Sequence, residues 1–196
     1  MARPKKDRPS LSFHPLTAER WAEFETLFGP NGACGGCWCM WWRLPRSRFA
    51  AQKGEGNRRA LRSLVDGGEV PGIMAYQGSR PVGWCSVAPR DSFPSLDRSR
   101  VLARVDGEDV WSIVCLFVAR GFRRSGVSRY LITAACEFAR SLGATVVEGY
   151  PVEPRKDAIP DVFAFMGLPH AFEACGFVEV ARRSPTRPIM RKALRR

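Results

Sequence analysis

The stretch Val110-Trp111-Ser112-Ile113-Val114-Cys115-Leu116-Phe117-Val118-Ala119-Arg120-Gly121-Phe122-Arg123-Arg124-Ser125-Gly126-Val127-Ser128 decides the fold. Its first nine residues are an almost unbroken apolar run, the pattern of a central strand. Beyond the loop, Val127, Tyr130, Leu131, Ala134, Ala135, Phe138 and Leu142 recur at spacings of three and four. That periodicity predicts an amphipathic helix, ended by Gly143. A short loop opening into a helix presents backbone N–H groups that have no helical acceptor, and the positive end of the helix dipole adds to them. Gly126 lets the backbone approach a ligand without a Cβ in the way. Arg123 and Arg124 add charge, with Arg120 and Arg129 beside them. The unit is an anion site suited to a phosphate-bearing ligand.

Working outward, residues 145–150 read as a further strand and 151–167 as a long loop. Pro169 opens a short helix to Cys175, stopped by Gly176, and residues 177–180 and 189–190 suit a closing hairpin. On the other side, residues 11–16 read as a first strand. Thr17 can cap a helix to Phe28, and Asn57 a shorter one to Asp66. Strands at 73–76 and 81–87 are joined by Gln77-Gly78-Ser79-Arg80, a hairpin connection. Residues 89–109 are polar and contain proline, so a loop or irregular insertion is predicted. The order of elements implies a mixed α/β architecture around a central sheet. A chain of 196 residues suits one domain. We assign residues 1–10 to a basic disordered tail and 11–196 to a single domain.

The phosphate ligand is narrowed by what the loop lacks. It has neither the Gly-x-x-x-x-Gly-Lys-Ser/Thr of a P-loop nor the Gly-x-Gly-x-x-Gly of a dinucleotide fold. Arg123-x-x-Gly126-x-Ser128 instead resembles the Gln/Arg-x-x-Gly-x-Gly/Ala motif of the GNAT superfamily of N-acyltransferases, with serine at the last small position. The setting also resembles that family: the strand before, the helix and strand after, and Ala171-Phe172-Glu173-Ala174-Cys175-Gly176-Phe177 as the late helix ending in Gly-Phe. The likeness spans roughly residues 70–183. The segment Cys37-Trp38-Cys39-Met40-Trp41-Trp42-Arg43 is similar to one in bacterial members.

The resemblance implies a GNAT-like fold: a mixed twisted sheet of six to seven strands flanked by about four helices, splayed between the strands at 110–118 and 144–150. It implies acetyl-CoA as co-substrate, with its pantetheine arm in the splay beside Leu116, Phe117 and Val118. The pyrophosphate would lie on Arg123, Arg124, Ser125, Gly126, Val127 and Ser128, and Phe172 would pack against the arm. A strand N–H would polarise the thioester carbonyl. The activity implied is acetyl transfer directly to a primary amine of a small-molecule or peptide acceptor.

An amine is mostly protonated at neutral pH, so a base is needed. Glu148 and Tyr150 fall on one side of a strand that should line the cleft. We take Glu148 as the candidate base and Tyr150 as a candidate donor; a structural carboxylate paired with an arginine is the competing reading of Glu148. Phe172 stands where the family often has a tyrosine that protonates the leaving thiolate. This departure favours a second class, a non-catalytic acyl-CoA-binding or sensing protein. His14 and His170 are the chain's two histidines; both are read as packing residues, with a place at the cleft as the alternative for His170 beside the late helix.

The net charge is +12, but residues 1–9 carry four basic groups against one acid and residues 182–196 seven against none, so the ends hold +10 of it. Such clustering is poor support for a nucleic-acid groove. Cys34, Cys37 and Cys39 offer three thiols, and zinc wants four ligands. With the basic ends they define a third class, a metal-binding nucleic-acid module, which we rank last, and no metal ligands are assigned. The segment's other readings are a packing role for its tryptophans and a wall of the acceptor pocket, with Arg43 contacting an anionic acceptor. Seven cysteines, several in apolar segments, suggest free thiols in a reducing, cytoplasmic setting. No membrane span or secretory signal is expected. A homodimer is compatible with all of this.

Overall fold

The computed structural model describes residues 10–154 and 159–195. The tail assigned to 1–10 therefore lies, apart from Ser10, outside the described residues. Seven strands form one sheet: β1 (Leu11–Pro15), β2 (Gly72–Gln77), β3 (Arg80–Pro89), β4 (Trp111–Val118), β5 (Val146–Gly149), β6 (Val178–Arg182) and β7 (Pro188–Ala193). Their order is β1-β2-β3-β4-β5-β7-β6. All neighbours are antiparallel except β4 and β5, which run parallel from Trp111–Val147 to Ile113–Gly149 and then diverge. Where they diverge, β4 also bulges against β3: Cys115 faces Ser86 and Ile113 faces Val87, so Val114 is the extra residue. A bulge sharpens local twist, which turns the far half of β4 away from β5.

The helices are α1 (Trp21–Phe28), α2 (Arg46–Ala51), α3 (Glu55–Asp66), α4 (Pro94–Asp97), α5 (Val127–Ser141) and α6 (Pro169–Glu173). Strand alternation divides the apolar residues between the two faces of the sheet. Ile73 and Ala75 of β2 pack with Leu131 and Ala135 of α5. Met74 and Tyr76 point the other way, to Trp21, Phe24, Leu61 and Trp84. The Cys/Trp segment completes this second layer: Trp38 stacks near Trp21 and Phe28, with ring centroids 6.4 and 5.7 Å apart.

Two local expectations change. Asn57 does not cap α3, which begins at Glu55; it is buried within the helix, and its amide donates to the carbonyls of Gly36 at 3.1 Å and Phe49 at 3.5 Å. It thereby clasps the Cys/Gly turn to α2. Residues 89–109 are more than a surface connection, because they deliver Phe93, Leu96 and Leu102 fully buried into a third apolar cluster. The expected closing hairpin forms as β6 and β7 within the basic C-terminal stretch. Arg182 pairs with Glu153 and Glu179, and Arg183 donates to the carbonyls of Ala103 and Arg104.

Candidate active site

The divergence of β4 and β5 opens a cleft of about 790 Å³. One wall is the free side of β4 at Leu116, Phe117 and Val118; another is the turn at Arg123, Arg124 and Gly126 and the first turn of α5, Val127 and Ser128. Residues 162–171 supply much of the opposite wall, and Ala33 and Cys34 of the Cys/Gly turn stand at its mouth. The lining holds Arg123, Arg124 and Arg129, and no carboxylate among the described residues.

The turn's geometry follows from its sequence. Arg124 and Gly126 both take left-handed backbone, φ 60° and 85°. The second is a position glycine fills without strain, and α5 starts directly after it. Arg129 N–H closes onto the Gly126 carbonyl at 3.0 Å. The N–H groups of Val127 and Ser128, at the first two helical positions, have no helical acceptor and lie at the cleft. Arg123 Nε donates to the Val118 carbonyl at 3.0 Å, tying the turn to the end of β4. Of the residues assigned to the cofactor, Ser125 does not line the cleft, and its hydroxyl turns back to the Phe122 carbonyl. Leu116 lines the cleft, but its N–H is engaged, donating to the Phe165 carbonyl at 2.6 Å.

Phe172 is also outside the lining. It is fully buried, its ring sunk between Gly149 and Gly167. A Cβ on either glycine would come within 2.3 and 2.8 Å of the ring, so the two glycines make the slot. The phenyl ring plugs the start of the divergence and carries no proton to give.

Glu148 and Tyr150 do not face this cleft. Both are completely buried. Glu148 Oε1 accepts from Arg90 Nη1 at 3.0 Å and from the Tyr150 hydroxyl at 2.6 Å, while Oε2 accepts from Arg191 Nε at 2.6 Å. Ser112 Oγ is 2.8 Å from the Tyr150 hydroxyl. Arg90 continues to Asp97 at 2.8 Å and to the Leu102 carbonyl at 2.9 Å, and Arg191 to both oxygens of Asp106. Burial, and then the Glu148 carboxylate beside it, push the Tyr150 phenol far above its ordinary range, so it stays a neutral hydroxyl. Alternation put the two residues on one side of β5, as the sequence indicated; that side faces the 89–109 insertion. The network stitches the insertion to β5 and β7.

Arg43 is likewise turned inward. Its guanidinium stacks 4.6 Å from the Phe93 ring centroid and donates to the Pro71 carbonyl at 3.4 Å, away from the cleft. His170, read from sequence as a packing residue, is exposed at the start of α6 and lines the cleft. His14 stays on β1, edge-on to Tyr76.

The sequence profile of the acetyltransferase (GNAT) family matches residues 38–160, well over half the chain. The protein belongs to that family. No curated protein sequence matches it significantly. Among solved structures, an acetyltransferase of the GNAT family from Listeria monocytogenes superposes with a TM-score of 0.57 at 9% identity, over 94% of this chain and 95% of that one. The PaiA N-acetyltransferase of Thermoplasma acidophilum, solved with coenzyme A, gives 0.53 at 11% identity over 94% and 99%. The yncA protein of Salmonella typhimurium, solved with its cofactor acetyl-CoA, gives 0.56 at 9% over 95% of each chain. At such identities the likeness is one of fold, and the fold is GNAT-like: a seven-stranded mixed sheet that parts between β4 and β5. Among the described residues no three metal-ligating side chains are grouped to hold an ion, and no helix is long and apolar enough to cross a membrane. Family membership sets the metal-binding nucleic-acid reading aside.

Proposed function

We propose that the protein is an acetyl-CoA-dependent N-acetyltransferase acting on a primary amine of a small-molecule or peptide acceptor. The observation that carries this reading is the pairing of the left-handed Gly126 turn with the parted edge of β4 in one cleft. The residues present fit the co-substrate. A helix start and three arginines suit a pyrophosphate. A strand edge beside an apolar wall suits an extended amide-bearing arm. When bound, acetyl-CoA supplies an activated thioester, so the chain's own task is largely to bind and orient.

The roles are reassigned where the geometry points elsewhere. Val127, Ser128 and the arginines hold the phosphates, while Phe117 and Val118 flank the arm. The Leu116 N–H serves it only if Phe165 yields that hydrogen bond. Glu148 and Tyr150 hold the fold together rather than move protons. His170 is an imidazole of the cleft wall, and it replaces Glu148 as the proton acceptor in this reading. Phe172 offers no proton to the departing thiolate, whose parent thiol is acidic enough for it to leave unaided, as cysteine near 8.5 illustrates. That same lack of a donor favours the second reading, an acyl-CoA-binding protein without turnover.

Titration calorimetry with acetyl-CoA, followed by thiol release over a panel of amines, tests both. Binding with turnover supports the enzyme, and binding without turnover on any amine supports the sensor. No binding at submillimolar acetyl-CoA overturns the assignment of the cleft.

A further inference from the structure

The cleft is not confined to one side of the sheet. Leu116 and Val118 point to the α5 side, where they pack in one cluster with Val127 and Ala171. Phe117, between them in sequence, points to the other side. It packs there against Phe28, with ring centroids 5.4 Å apart, and Ala33 joins the same cluster. Phe165 belongs to the adjoining cluster on that side, for Cys115 packs against both. The opening of about 790 Å³ therefore passes through the gap between β4 and β5, with a half on each face.

The halves differ in chemistry. Arg123, Arg124 and Arg129 come from the turn and first residues of α5, and so belong to the α5 half. The other half is walled by Ala33, Cys34, Phe117 and Phe165, all uncharged. That wall is fixed from behind. Ala33 has left-handed backbone, φ 66°, within a turn whose neighbours are clamped. The Trp38 ring lies on Gly32, where a Cβ would come within 2.4 Å of the indole nitrogen. The Gly36 carbonyl accepts from Gly54 N–H at 3.0 Å and from the Asn57 amide at 3.1 Å. The Cys/Gly turn thus presents a preformed surface to whatever enters from this face.

On the reading of the cleft as an acetyl-CoA site, the phosphates and the arm take the α5 half and leave the other to the acceptor. We propose, resting on that reading, that the acceptor is a primary amine carried on an aliphatic or aromatic body, held by Ala33, Cys34, Phe117 and Phe165, with no second charge. An apolar body gains by leaving water against these walls. A second ammonium, or a carboxylate, would lose its hydration there and meet no counter-charge among the described lining residues. The same walls disfavour the ammonium relative to the free amine, the form that attacks the thioester. Desolvation by the acceptor half thereby does part of the work of deprotonation. Polyamines, aminoglycosides and acidic amino acids are the classes this wall selects against.

The full-length protein is assayed for thiol release from acetyl-CoA with phenethylamine, spermidine and glutamate. kcat/KM should be about a hundredfold higher for phenethylamine than for either of the others. Occupancy has a readout that needs no turnover, because Cys34 is exposed at the rim of this half. With coenzyme A bound, phenethylamine should slow the labelling of Cys34 by N-ethylmaleimide, followed by mass spectrometry, and spermidine should not. Cys34→Asp puts a carboxylate in the same half, at a residue with ordinary extended backbone, φ −149° and ψ 118°. It should raise kcat/KM for spermidine and lower it for phenethylamine, a reversal that misfolding does not produce. Protection of Cys34 by phenethylamine without turnover of any amine upholds the apolar half and removes the transfer reaction. Spermidine or glutamate as the better substrate, equal protection by spermidine, or no protection by phenethylamine overturns the proposal while leaving the cofactor half intact. Absence of coenzyme A binding overturns both readings together.

Discussion

Two regions flank the divergence of β4 and β5, and both gather arginines around a chain reversal or strand end. At the 123–128 turn the arginines face a cleft with no carboxylate on its described lining. Around Glu148 and Tyr150 the arginines are consumed: each carboxylate oxygen has a guanidinium partner and the side chains are sealed from water. The first arrangement puts the charge of Arg124 and Arg129 on the wall of an open cleft. The second has spent it internally, where breaking one partner leaves another uncompensated. Residue type alone does not separate an anion site from an ion-pair rivet; the location of the counter-charge does.

The sharpest way to break this contrast is Glu148→Ala. It removes the buried carboxylate shared by Arg90 and Arg191, leaving them Asp97 and Asp106, and should cost about 3 kcal/mol of stability in denaturant titration, with turnover falling only as the folded fraction falls. Unchanged stability with abolished turnover would return Glu148 to the reaction. Gly126→Asp probes the other region. A carboxylate is placed at the anion site, on a backbone with φ 85°, and acetyl-CoA affinity should drop about a hundredfold by calorimetry, near 2.7 kcal/mol. If affinity holds, the phosphates bind elsewhere. His170→Ala should lower kcat/KM about ten- to a hundredfold, the low end for a positioned proton acceptor, with an unchanged melting temperature. A loss confined to stability would make His170 a packing residue after all. Phe172→Tyr is the mildest change. The ring is fully buried, so the added hydroxyl should cost about 1 kcal/mol of stability and turnover should not rise. A gain in turnover would mean that the ring reaches the thiol.

What could be read from sequence follows from locality. The strand, the Gly126 turn and α5 are contiguous, and each has a local cause: an apolar run, a position needing positive φ, a 3.6-residue period. Hence the mixed sheet and the phosphate-suited loop were legible. Glu148's surroundings were not, because Arg90 and Arg191 lie 58 and 43 residues away in sequence. Alternation indicated that Glu148 and Tyr150 share a side of β5 but not what covers it. The cover, residues 89–109, contains one four-residue helix, too short to show a period, and its apolar anchors are scattered among charges. Asn57 misled for a related reason. An amide before a helical run reads as a cap, and only the fold shows that the carbonyls of Gly36 and Phe49 claim it first.

The position of β7 has a consequence for how the chain reaches this state. The last strand in sequence lies inside the sheet, between β5 and β6. During synthesis, β1 to β4 and α5 can assemble as they emerge, since their partners are already made. β6 must wait, because its only sheet neighbour is translated after it, and Glu148 waits too, because Arg191 belongs to that strand. A ribosome paused a few codons before Pro188 would therefore display a nascent domain whose sheet stops at β5 with a half-paired carboxylate. β7 acts as a latch, converting that unfinished edge into the interior of the sheet.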